Sequence, residues 1–255
     1  MIMNKNKSTM AQMIEYLCNR NTTDVEQIFK MVHEVGYDLT QIENVNFLFS
    51  TGVNRHRYIS IVEKNANLEQ SVKFIQQNII YEIESSYITQ RLELTHYQIV
   101  VIEINLKYAR ILKELEINNE SIHYQRINYF LIPVLQLLSL KQVLKICIDY
   151  SKERVAFDVP IHKHQLVGQT LADSFTEYTT NKLLLIELAK KLDKKLITMK
   201  ECVRSIIFLI ESQQEIVDKL VPTTGAYGLI EEAGINSRFL EIHGIGSVFH
   251  YINYV

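Results

Sequence analysis

Glycine and proline are scarce, at eight and three residues in a chain of 255. A sandwich or small barrel needs a tight turn about every ten residues, so this shortage excludes a many-turned all-β fold and favours long helices. Cysteine is as few as proline, at three. Cys18, Cys147 and Cys202 stand far apart, without the paired short spacings of a zinc site or a disulfide framework. They are expected to be buried thiols in a reducing compartment. An excess of one charge is also missing. Lys and Arg number 27 against 29 Asp and Glu, a formal net charge of −2, so no whole-chain attraction to nucleic acid or a membrane surface is expected. No run of about 18 uninterrupted apolar residues is found, and "MIMNKNKSTMAQM" is polar where a secretory signal would be apolar. These absences predict a cytoplasmic protein. What is there is a 47% hydrophobic composition, enough for a sizeable core.

The pattern of that apolar content changes along the chain. Thr9 opens a short amphipathic stretch, and "TDVE" at Thr23 to Glu26 reads as a capping box before Val25, Ile28, Phe29 and Val32, with Gly36 as the stop. Between 46 and 105 the period becomes two: "YISIVE", "SVKFIQ", "IIYEIE" and "RLELTHYQIVVIEIN" alternate or run β-branched, as strands do. From Arg126 the helical period returns. Leu140, Val143, Leu144, Cys147 and Ile148 share one face of a first long helix. Leu166, Val167, Thr170, Leu171, Phe175 and Tyr178 are expected to form the matching face of a second. Met199, Cys202, Val203, Ile206, Ile207, Ile210, Val217 and Leu220 mark a third, entered through the capping box "TMKE". The organisation predicted is short N-terminal helices over 1–45, a small β-domain over 46–108 and an antiparallel helical bundle over 109–255.

The residues joining the first two bundle helices, "DYSKERVAFDVPIHKHQ", raise a chemical question. A cation in the last helical turn suits the helix dipole, and Pro160 stops the helix, which accounts for Arg154 on structural grounds alone. The order Arg154, Phe157, Gln165 also suits a nucleotide diphosphate: a guanidinium fork for two phosphate oxygens, an aromatic face, and an amide at the next helix entrance. His162 and His164 splay by about 200° if helical, so they predict a solvated turn and no shared metal. "NRHR" at 54 to 57 reads as a hairpin tip.

The segment "DYSKERVAFDVPIHKHQLVGQTLAD" resembles the acyl-CoA dehydrogenase family, in which an "ERxxFGxPI" turn is followed by "QxxxxxLAD". "GAYGLIEEAGINSRFLEIHGIGSVFH" is similar to that family's terminal glycine turn through Gly225, Tyr227, Gly228, Glu231, Glu232 and Arg238. The resemblance covers about residues 97 to 240. It implies a mainly α fold with a reduced sheet and a C-terminal four-helix bundle, FAD as cofactor, and an acyl thioester as substrate. It also implies a homo-oligomer or pairing with a paralogue. The matched residues Arg154, Phe157 and Gln165 would contact the FAD of a neighbouring subunit, and Gly225 to Gly228 its ADP part. The chemistry implied is removal of an α-proton while the β-hydrogen leaves as hydride.

Several positions depart from the pattern. The family's catalytic glutamate is replaced by His250, and the alternative carboxylate position reads Gln125. A neutral imidazole is a competent base near pH 7; Glu241 is a second candidate. Pro222, Ala226 and Asp158 replace a glutamine and two glycines, and Asp158 is expected either to offset the charge of Arg154 or to repel the phosphate itself. Residues 1–45 leave room for little of the family's long N-terminal helical domain. Two readings therefore stand: an FAD-dependent oxidoreductase acting on the CH–CH group of an acyl thioester, or an inactive homologue that keeps the bundle as an interaction or scaffold subunit and has lost FAD.

Overall fold

The computed structural model describes residues 10–19, 45–50, 57–63, 71–76, 79–93, 97–114 and 119–254. The "TDVE" box, Gly36 and His56 of the "NRHR" tip lie outside them. The chain divides into two compact units, the first built on residues 24–131 and the second on 132–247 together with 11–23.

The first unit holds a mixed seven-stranded sheet. Its strands are β1 (Val45–Ser50), β2 (Arg57–Glu63), β3 (Ser71–Gln76), β4 (Ile79–Glu84), β5 (Ile88–Glu93), β6 (Tyr97–Glu103) and β7 (Arg110–Glu114). Their order is β5-β6-β2-β1-β3-β4-β7. All neighbours are antiparallel except β1 and β3, which pair in parallel through Val45 with Lys73 and Asn46 with Phe74. The period-two pattern has its expected cause: on β4, Tyr81 and Ile83 are buried while Glu84 faces solvent. Glu82, between them, sits opposite Arg110 on β7 and accepts its guanidinium at 3.4 Å. The long run "RLELTHYQIVVIEIN" supplies the end of β5 and all of β6, which pair with each other.

The second unit is helical. After α1 (Met10–Cys18) it contains the greater part of α2 (Asn119–Glu153), then α3 (Gln165–Asp193), α4 (Met199–Leu220) and the greater part of α5 (Ile235–Tyr254). The stretch Tyr129–Glu153 of α2 is long and apolar enough to cross a membrane, but 72% of its most apolar window is buried inside the protein, as in a core helix. Pro133 lies within it and forfeits one backbone hydrogen bond.

Thr198 and Glu201 form the capping box expected at the start of α4: Glu201 Oε2 accepts the Thr198 amide at 2.8 Å and Thr198 Oγ1 accepts the Glu201 amide at 3.3 Å. These bonds to its charged form hold the Glu201 carboxyl below its ordinary range. At the other end of the connection, Lys195 adopts φ 57, and the Leu196 amide reaches back to the Lys191 carbonyl at 2.8 Å. A lysine thus closes α3 in the left-handed position usually given to glycine. The antiparallel α3–α4 pair is tied by Asn181 donating to Ser212 and by Lys219 with Glu177 at 3.0 Å.

One expectation needs correcting. Leu171 and Tyr178 of α3 are buried, but Leu166 and Phe175 are 78% and 56% exposed. The buried stripe runs instead through Leu171, Ser174, Tyr178, Asn181 and Leu185, a three-to-four spacing that includes two polar residues. All three cysteines are free and buried, and burial pushes Cys18 and Cys202 up to about 12 and Cys147 to about 11. They are inert as nucleophiles.

Candidate functional site

Arg154 follows the last residue of α2, with its amide donated to Tyr150 O at 2.8 Å. From it the chain makes a two-residue hairpin, β8 (Val155–Ala156) and β9 (Val159–Pro160). Its turn residues are Phe157, with φ 52, and Asp158, with φ 64. Positive φ at both central positions belongs to the primed turn that matches the twist of a tight hairpin. Asp tolerates this region; a bulky aromatic does not, and is held there at a cost. Phe157 is nonetheless 91% exposed. No burial of its ring offsets the strain.

The hairpin is fastened by neighbours. The Ile161 amide donates to Arg154 O at 2.8 Å. His162 Nδ1 lies 3.1 Å from Ser151 O, and His164 Nε2 lies 3.1 Å from Ala156 O. The His164 ring also meets Phe157 edge-on, with centroids 6.1 Å apart. The two imidazoles, which both follow the turn, are therefore clamps on backbone carbonyls that precede it. Gly168, one turn into α3, completes the fit: a Cβ there would meet His162 O at 2.8 Å. Sequence reasoning missed this glycine, although an isolated glycine inside a helical pattern is itself a sign of close backbone approach.

Gln165 is the first residue of α3 and is exposed. No side chain caps this helix start and no acidic residue lies in its first turn, so the positive end of its dipole is left uncompensated. Arg154 is exposed and, among the described residues, forms no ion pair; the expected offset by Asp158 is not made.

The glycine segment lies in 3₁₀ turns between α4 and α5. Gly225 has φ 55 and ψ −140, a conformation open to glycine alone, and a Cβ on it would project into open space. Gly228 differs. It is buried, and a Cβ would collide with Thr224 Oγ1, so its role is internal packing of the turn. Tyr227, between them, stacks on Tyr150 of α2 with centroids 4.4 Å apart and planes 8° from parallel. Arg154, Phe157 and Gln165 are thus gathered by one short set of hydrogen bonds, and the stack brings the Gly225 turn to the same helix end.

The proton-abstracting candidates are placed otherwise. Glu241 on α5 is fully buried. Its Oε2 accepts from Ser139 Oγ at 3.1 Å and Arg238 Nη1 at 3.0 Å, while Oε1 has no protein partner. Beside it, Gln136 donates to Ile242 O at 2.8 Å. This carboxylate ties α5 to α2 and is closed to solvent. His243 is taken up by Asp218 at 2.9 Å, and its ring lies tilted against Phe239. The backbone of His250 lies within α5, and that of Gln125 within α2; their side chains lie outside what the structure describes. Among the described residues no group of three or more His, Cys, Asp or Glu is placed to hold a metal ion.

Comparison with known proteins bears on this arrangement. Residues 116–245, just over half of the chain, match the model of the acyl-CoA dehydrogenase C-terminal domain. A 3-(aryl)acrylate reductase of Clostridium sporogenes (strain ATCC 15579) is 31% identical over 98 residues, which are 38% of this chain and 26% of that protein. The fold is similar to that of the ChsE4–ChsE5 complex from Mycobacterium tuberculosis, with a TM-score of 0.55 and 15% identity, covering 80% of this chain and 58% of that one. It is also similar to a glutaryl-CoA dehydrogenase from Mycobacterium smegmatis in complex with FADH2, with a TM-score of 0.53 and 14% identity, covering 94% and 68%. This chain thus spans about a quarter of its curated relative and less than two thirds of the first of these structures. Through the segment of residues 116–245 that carries Arg154, Phe157, Gln165 and Gly225, the chain belongs to the acyl-CoA dehydrogenase family.

Proposed function

We propose that the protein is an acyl-CoA dehydrogenase-like flavoprotein, an oxidoreductase on the CH–CH group of an acyl thioester carried by coenzyme A or a carrier protein. The observation that supports this most is Phe157: a strained aromatic, 91% exposed, beside an arginine with no ion pair. Strain that the fold does not need is commonly kept at a binding site. The residues present fit a dinucleotide. Arg154 would take two phosphate oxygens through its fork, Phe157 would lie against the flavin nucleotide, Gln165 would hydrogen-bond to it, and the bare face of Gly225 would let the backbone approach. The chemistry FAD supplies when bound is acceptance of the hydride that leaves the β-carbon. His250, as a neutral imidazole, would take the α-proton. Among the described residues Phe157 is left 91% exposed, so the nucleotide would be one held by a second copy or a paralogue. Three buried thiols suit a reducing compartment such as the cytoplasm.

A second reading is favoured by Glu241. With this carboxylate buried and bonded, the protein would be an inactive homologue that retains the bundle as an interaction subunit. An absorbance spectrum of the purified chain after addition of FAD, with its elution mass, separates the two. The first reading predicts flavin bands in an oligomer, and binding weakened roughly tenfold or more by Arg154→Ala. Unchanged affinity in that variant would reject the phosphate contact. If thioester oxidation is found, an unaltered rate in His250→Ala would reject the imidazole as base.

A further inference from the structure

Two turns meet at the end of α2, and each is closed by local hydrogen bonds. The hairpin is closed by the Ile161 amide on Arg154 O, His162 on Ser151 O and His164 on Ala156 O. The glycine segment is closed by Thr223 on Leu220 O, Thr224 on Val221 O and the Ile230 amide on Tyr227 O. Gly225 and Ala226 have little or no side chain with which to grip anything, and Ala226 is exposed. The first side chain after them that reaches another helix is Tyr227, whose ring lies on Tyr150 at 4.4 Å. Tyr150 in turn accepts the Arg154 amide at 2.8 Å, at the root of the hairpin.

We propose that the Tyr150–Tyr227 stack is a positioning device, coupling the Arg154–Phe157 hairpin to the Gly225 turn so that the two open and close together. The proposal rests on the flavin reading for its purpose, but not for its test. An aromatic pair of this kind contributes beyond its buried area. Tyr227 is only partly covered, at 37% exposed, so its identity is not dictated by the core. Coupling through a shared contact must also be reciprocal: loosening either turn loosens the other.

Amide hydrogen exchange on the full chain without ligand tests this. Tyr227→Leu should raise exchange at the amides of Arg154 and Ile161, about seventy residues away in sequence, by roughly three- to tenfold. Tyr150→Leu should raise exchange at Ile230 by a similar factor, and Tyr227→Phe, which keeps the ring, should restore the original rates. Original rates at Arg154 and Ile161 in a folded Tyr227→Leu protein would overturn the coupling. If that variant does not fold, Tyr150→Leu read at Ile230 decides in the same way. A flavin titration then separates the two ideas. Where the unaltered chain binds FAD, Tyr227→Leu should weaken binding and Tyr227→Phe should not, and equal affinities for all three would overturn the positioning role. Where the unaltered chain binds no FAD, the flavin reading fails and exchange alone settles the coupling.

Discussion

The hairpin end of the bundle and the seam between α2 and α5 use polar residues in opposite ways. At the hairpin, Arg154 and Gln165 face solvent without a charged partner among the described residues, and Phe157 stands in a costly backbone conformation. At the seam, Glu241 and Gln136 are fully buried, and Arg238 and Ser139 complete a bonded cluster. The first region holds groups ready for something outside the chain; the second consumes its charges in holding two helices together. Chemical capability therefore cannot be judged from residue type alone. A carboxylate that residue type alone offers as a base is a structural tie here, while a strained and exposed turn aromatic carries the stronger functional signal.

This contrast can be broken experimentally. The largest effect is expected at the seam. Arg238→Met leaves the buried Glu241 carboxylate without its cation and should destabilise the protein by about 3–5 kcal/mol in denaturant titration; a loss below about 1 kcal/mol would mean that the cluster is not a tie. At the hairpin the sign should reverse. Phe157→Gly removes the strain of φ 52 and should stabilise by about 1 kcal/mol, measured by thermal melting, while weakening flavin affinity. A destabilised variant would show that the ring packs against its own chain.

The smallest effect concerns the start of α4, which belongs to neither region and serves as a control. Thr198→Ala should cost about 1 kcal/mol. Because its bonds from Thr198 hold Glu201 below the ordinary carboxyl range, the box contributes at pH above that range. Its contribution is lost as pH falls through the lowered value in the folded protein. The melting difference between the original chain and Thr198→Ala should thus shrink in acid, and a difference independent of pH would remove the carboxylate from the account.

Much of this architecture was legible because it depends on periodicity and local chemistry. The alternation in "IIYEIE" placed Tyr81 and Ile83 inside, and "TMKE" announced the α4 cap. Periodicity misplaced Leu166 and Phe175 of α3 because the buried stripe admits Ser174 and Asn181 in place of apolar residues. The last helix gave no clear apolar period, since Glu241 points inward and Gly246 is pressed against the Gln214 amide. The left-handed pair Phe157 and Asp158 was hidden for a different reason: neither residue type advertises positive φ as glycine would. The motif's residues could be read from the chain, but not the strain that distinguishes them.

Gly168 carries a last consequence. Where the obstacle to a larger residue is the tip of a pliable side chain, the neighbour can yield; here it is the main-chain oxygen of His162, at 2.8 Å from any added methyl. In a survey of all single replacements, this site should therefore accept glycine alone, whereas solvent-facing Ala226 should accept many residues. Such intolerance would record the gap between a carbonyl and a helix, and would be mistaken for chemistry by anyone who knew only which replacements survive.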